Sequence, residues 1–99
     1  PALKEMKGMS WLYLDNNNIG EKGIEHLAPA LKEMKGMSYL NLHTNNIGDK
    51  GIEHLAPAIK FMTALDTLTL YHNAFTAIGA DKIRHAWQQA GKAPNSLSL

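Results

Sequence analysis

The sequence predicts an α/β fold: short parallel strands alternating with helices in a stacked repeat array. Three observations predict it. Residues 1–28 recur as residues 29–56 with 23 of 28 positions identical. A period in the range of about 20–50 residues marks units that each bury an apolar face against the next. A third, diverged copy starts at Pro57 and keeps eight positions of the second: Pro57, Ala58, Lys60, Met62, Leu68, Leu70, Asn73 and Gly79. Finally, the apolar spacing inside each unit switches from period two to a helical period.

The period-two segments are Leu12/Leu14, Leu40/Leu42 and Leu68/Leu70, with Leu97/Leu99 following after a one-residue insertion. Alternate residues of a strand face opposite sides, so each leucine pair points inward and its neighbours point out. Strands are expected near 11–14, 39–42, 67–70 and 97–99. Ile24, Leu27, Leu31 and Met34 then fall at helical spacing, as do Ile52, Leu55, Ile59 and Met62, and Ala80, Ile83, Trp87 and Ala90. Each set makes one face of a helix. Gly20/Gly48 and Gly23/Gly51/Gly79 allow the chain to turn before or at each helix start. Pro29 and Pro57 interrupt the helical pattern, where an interior proline costs about 3 kcal/mol. A kink is expected there, or a main helical segment starting near the proline.

Between strand and helix, Asn17, Asn45 and Asn73 recur at one phase. An inward carboxamide carries donors and an acceptor, so a ladder of them satisfies backbone groups left open at the strand ends. With Leu-x-Leu-x-x-Asn followed by Ile-Gly-x-x-Gly-Ile-x-x-Leu, the chain resembles a leucine-rich repeat protein of the ribonuclease-inhibitor-like subfamily. The resemblance spans essentially all 99 residues and is most specific in the first two units. In the third, Phe75, Thr76 and Ala80 replace Ile47, Gly48 and Ile52. It implies a solenoid of right-handed βα repeats, with a parallel sheet on the concave side, helices on the convex side, and partner binding as the usual activity.

Composition excludes several classes. A formal charge of +1 offers no electrostatic case for nucleic acid or a membrane surface, and no apolar run approaches the roughly 18 residues of a membrane span. The chain has no cysteine, so no disulfide framework exists, which favours an intracellular, cytoplasmic setting. Residues 1–10 supply no polar cap for an array end. The expectation is therefore a single repeat segment over 1–99, the C-terminal part of a longer array, with residues 76–99 as a capping helix and terminal strand stub. Self-association through the uncapped Leu12/Leu14 edge is expected with it.

The two near-identical copies locate a candidate surface. They differ only at Trp11/Tyr39, Tyr13/Asn41, Asp15/His43, Asn16/Thr44 and Glu21/Asp49. The last exchange is like for like in charge. The other four lie in and just after the strand, and 11, 13 and 15 alternate with the inward leucines, so they project from the concave face. Stacking gives the columns Trp11, Tyr39, Thr67; Tyr13, Asn41, Thr69; Asp15, His43, Tyr71; and Asn16, Thr44, His72. Aromatic rings among small polar groups have the composition of a protein interface. The expected function is a protein–protein interaction module whose partner binds these twelve positions. A recruiting segment of a larger multidomain protein and a purely architectural segment are the alternatives.

Histidine at five positions raises a metal reading. Zinc needs three or four converging ligands, and His26 and His54 are periodic copies, so no metal or cofactor is expected. No nucleophile elbow or phosphate loop is present, and no enzyme is expected.

Overall fold

The computed structural model describes residues 10–99 and has α/β architecture: a four-stranded parallel sheet and three helices. In chain order these are β1 (Trp11–Tyr13), α1 (Gly20–Leu31), β2 (Tyr39–Asn41), α2 (Asp49–Ile59), β3 (Thr67–Thr69), α3 (Ala77–Gln89), a 3-10 turn (Pro94–Ser96) and β4 (Leu97–Ser98). The strands lie in sequence order, and Trp11, Tyr39 and Thr67 share one register row, as do Leu12, Leu40, Leu68 and Leu97. Each strand stops one residue short of its expected end.

The inward leucines and the helical apolar faces meet in one core. Leu40, Leu42, Leu68, Leu70, Ile24, Ile52, Leu55 and Ile83 are fully buried. Truncation of such a residue to alanine typically costs about 2–5 kcal/mol. Met34 and Met62 are also fully buried, although they lie beyond the helices. Tight backbone turns past each helix, such as Met34 N–H to Leu31 C=O at 3.0 Å and Met62 N–H to Ile59 C=O at 3.1 Å, bring them into the core.

The expectation at the prolines is overturned in one respect. α1 and α2 run through Pro29 and Pro57 and end two residues later, so the main helical segment precedes the proline. A proline removes one N–H and frees the carbonyl four residues back. Here those carbonyls belong to Glu25 and Glu53, which lie on the exposed side of their helices.

The loops join the units through Asn45 and Asn73. The Asn45 Oδ1 accepts from the N–H groups of Asn17 at 2.8 Å and Ile19 at 3.3 Å, while its Nδ2 donates to the carbonyls of Leu14 at 2.8 Å, Leu42 at 3.1 Å and His43 at 3.2 Å. Asn73 repeats the pattern one unit on, accepting from Asn45 and Ile47, each at 2.9 Å, and donating to Leu42 at 3.0 Å and Leu70 at 2.7 Å. Asn17 donates only within its own loop, to Leu14 at 2.8 Å and Asp15 at 3.1 Å. No buried side-chain N or O atom among the described residues lacks a partner.

Where the third unit diverges, other groups make the junction. Asp49 Oδ1 accepts from the N–H of Thr76 at 2.8 Å and of Gly79 at 3.0 Å, and Oδ2 accepts from the Thr76 hydroxyl at 2.7 Å. A carboxylate thus sits on the first turn of α3, where helix N–H groups have no internal partner. A Cβ at Gly79 would lie 2.8 Å from the Phe75 Cβ and against the Asp49 carboxylate, so glycine is required for the approach. At the other end of the unit, the Lys92 ammonium donates to the carbonyls of Met62 at 3.0 Å and Leu65 at 2.6 Å. Burial lowers its pKa, against the opposing pull of Asp66. α3 ends at Gln89, and Gly91 takes φ +75° to turn the chain. The expectation that residues 1–10 leave an end uncapped lies, apart from Ser10, outside the described residues.

The Thr76 hydroxyl and then its N–H, with help from Gly79 and Lys82, hold the Asp49 pKa below the usual aspartate value. A carboxylate depressed in the folded state adds stability above its unfolded pKa and loses it as pH falls through the folded one. The melting temperature of the parent chain should therefore exceed that of Asp49→Asn at neutral pH, with the gap closing as the solution is acidified. A gap independent of pH would contradict this role for the carboxylate.

Candidate functional site

Among the described residues, no helix covers the face of the sheet opposite the leucines. Its outer row begins with Trp11 and Tyr13, 65% and 60% exposed. Both are strand residues because aromatic side chains fit a pleated surface, and alternation with Leu12 sends them outward. Tyr39, half-buried, stacks on Tyr13 with ring centroids 5.3 Å apart and planes 15° from parallel. The pair joins two units across a strand diagonal. Thr67 completes the Trp11 column, and its hydroxyl donates to Asp66 Oδ1 at 2.9 Å.

Two of the twelve expected contact positions are corrected here. Asn41 and Thr69 are buried, at 8% and 6% exposure. Both occupy the two interior strands, in register between Tyr13 on one side and Ser98 on the other. Asn41 turns its Oδ1 to accept the His43 N–H at 3.2 Å. A short side chain in the middle of the row is covered by its neighbours, so only the β1 end of that column presents contact surface.

The next column leaves the strands. His43 stacks on Tyr71 at 4.5 Å and 8°, and Tyr71 meets His72 edge-on at 4.9 Å. The His43 Nε2 lies 3.7 Å from Asp15 Oδ2, and its Nδ1 lies 2.9 Å from the Thr44 hydroxyl. Asp15, His43 and Tyr71 are therefore brought together across three units, and the ring of His43 is held on two edges and one face.

The outermost column, Asn16, Thr44 and His72, has φ of 60°, 58° and 57°. Asn18 and Asn46 share that left-handed conformation at φ 50° and 58°. Asparagine tolerates it, but a β-branched residue does so at a cost on the order of 1–3 kcal/mol. Nothing in the alternation pattern reveals this geometry; the only sequence signal is the asparagine-rich stretch itself, since Asn is enriched at positive φ. These residues border an open groove along the rim where the strands end.

The remaining histidines sit apart from this face. His54 lies on α2 with Nε2 3.9 Å from the Glu21 carboxylate, and His26 is exposed on α1. Among the described residues no group of three or more His, Cys, Asp or Glu side chains is placed to hold a metal ion. Around the Asp15–His43 pair, the Thr44 hydroxyl on the His43 ring is the hydroxyl in contact among the described residues. Among the described residues no helix is long and apolar enough to cross a membrane.

No protein-family model matches the chain, and no curated protein matches it.

Exposure separates the two faces energetically. Leu40→Ala should lower unfolding free energy by about 2–5 kcal/mol, whereas Trp11→Ala should stay within about 0.5 kcal/mol of the parent. Urea denaturation of the two variants measures the difference, and comparable losses would mean that Trp11 belongs to the folded core.

Proposed function

We propose that the chain is a leucine-rich repeat segment of the ribonuclease-inhibitor-like type, a solenoid of right-handed βα units, that binds a protein partner on its concave sheet face. The reading is of binding without catalysis and without a cofactor. The 28-residue spacing of parallel strands, the leucines turned inward and the asparagine bonds between loops support the repeat assignment.

One observation carries the binding assignment: Trp11 and Tyr13 stand 65% and 60% exposed on a face that no helix among the described residues covers. Rigid aromatic rings bring large contact area at low entropic cost, and such anchors dominate the energetics of protein interfaces. The stacked Tyr39 extends the same apolar surface into the second unit. His43 and Tyr71 supply a polar continuation along the rim.

The test compares the two sides of the molecule. A partner recovered by photo-crosslinking from residue 13 should lose affinity by about 30-fold or more on Trp11→Ala, Tyr13→Ala or Tyr39→Ala, equivalent to about 2 kcal/mol. Lys32→Ala and His54→Ala should change it by less than about twofold, with circular dichroism verifying that every variant folds. Loss confined to the helix-side variants would transfer the interface to the helices.

A further inference from the structure

Charge is segregated along this chain with the same period as its structure. All ten lysines and arginines fall in segments 1–9, 20–37, 48–65 and 76–93, the last three of which supply the helices and the turns that follow them. None falls in 10–19, 38–47, 66–75 or 94–99, which supply the strands and rim loops. The formal charges in those segments are Asp15 and Asp66 alone, both negative.

The aromatic rings divide the same way. On the helix side, Phe61 is 39% exposed and has the ammonium groups of Lys32, Lys35 and Lys60 at 5.5, 5.3 and 5.2 Å from its ring centroid. Trp11 and Tyr13 are more exposed, yet among the described residues no ammonium or guanidinium lies over either ring. A ring face is electron-rich and attracts a cation, most strongly for tryptophan. Asp15 follows Tyr13 on the same face, its side chain 34% exposed, and its nearest charge-capable neighbour is the His43 imidazole at 3.7 Å. Two carboxylates on the helix side have a basic side chain close by, Glu53 with Lys82 at 3.5 Å and Asp81 with Arg84 at 3.3 Å, while Glu21, like Asp15, faces an imidazole, that of His54 at 3.9 Å.

Resting on the reading of this face as a binding surface, we infer that the partner is a protein segment presenting a lysine or arginine. Its cation lies over the Trp11, Tyr13 and Tyr39 rings and pairs with the Asp15 carboxylate. The rings supply the π surface, Asp15 supplies the counter-charge, and among the described residues no lysine or arginine is paired with either. An acidic segment would meet the Asp15 carboxylate with like charge.

A displayed library of random dodecapeptides, selected on the intact chain and sorted by loss of binding on Tyr13→Ala, tests this. The Tyr13-dependent peptides should be enriched in lysine and arginine over the unselected library. For the tightest of them, replacing arginine by citrulline or lysine by norleucine should weaken binding by about 3-fold to 30-fold. Asp15→Asn, isosteric and folded by circular dichroism, should weaken it in the same direction and flatten its salt dependence. Tyr13-dependent peptides without basic enrichment, or enriched in acids, would overturn the cation assignment while leaving the face as a binding surface. Tyr13-dependent binding of anionic vesicles or single-stranded DNA would overturn it likewise. If no selected peptide depends on Tyr13, both this inference and the proposed protein-binding face fall.

Discussion

A single carboxamide per unit holds neighbouring loops at a fixed spacing. No strand is longer than three residues, so the ladder of backbone bonds ends almost as soon as it begins. Beyond it the chain must turn toward the helix, and its N–H and C=O groups would be left without partners. Asn45 and Asn73 answer this by accepting two N–H groups from the preceding loop and donating to carbonyls of both loops. An unpaired buried backbone group costs about 1–3 kcal/mol, so each asparagine guards several such groups at once. The register of the outer face follows from this spacing, including the stacking of Tyr13 on Tyr39 and of His43 on Tyr71.

The same logic explains how the third unit keeps its place after losing most of its identity with the second. Asp49 grips the first turn of α3, and Lys92 ties the end of the last unit to carbonyls after α2. Both are charged groups serving backbone donors or acceptors, which makes their bonds stronger than neutral ones. Lys35 makes a related contact one unit earlier, donating to the Phe61 carbonyl at 2.8 Å. With the interior and the junctions occupied by leucine, asparagine and these few ions, the outer face is left free of structural duty. Its aromatic and acidic residues are where a partner is proposed to bind.

The parallel strands, the helices and the inward leucines were legible in the sequence because each depends on a period, and a period survives substitution. Other features depend on lengths and neighbours, which a period does not carry. Glu21 and Asp49 look equivalent by charge, yet the Asp49 carboxylate caps the next helix with three close bonds. Asn41 and Thr69 share the outward phase of Tyr13, but lie in interior strands where adjoining side chains cover them. The prolines look disruptive in the pattern, whereas their place in the last helical turn frees only carbonyls on the exposed side. At the candidate site the outer columns could be named from the strand phase. The contact of the Thr44 hydroxyl with the His43 ring could not, because a period does not carry the left-handed backbone at residue 44.

Amide hydrogen exchange resolved by residue tests the asparagine junction most directly. In the parent chain the N–H groups of Asn45 and Ile47, both held by Asn73, should exchange slowly, as should those of Asn17 and Ile19, held by Asn45. In Asn73→Ala the Asn45 and Ile47 amides should lose protection by about 10-fold or more, before Asn17 and Ile19 do. If the Asn45 and Ile47 amides exchange at the same rate with and without the Asn73 carboxamide, water satisfies these loops, and the asparagine ladder does not hold the units together.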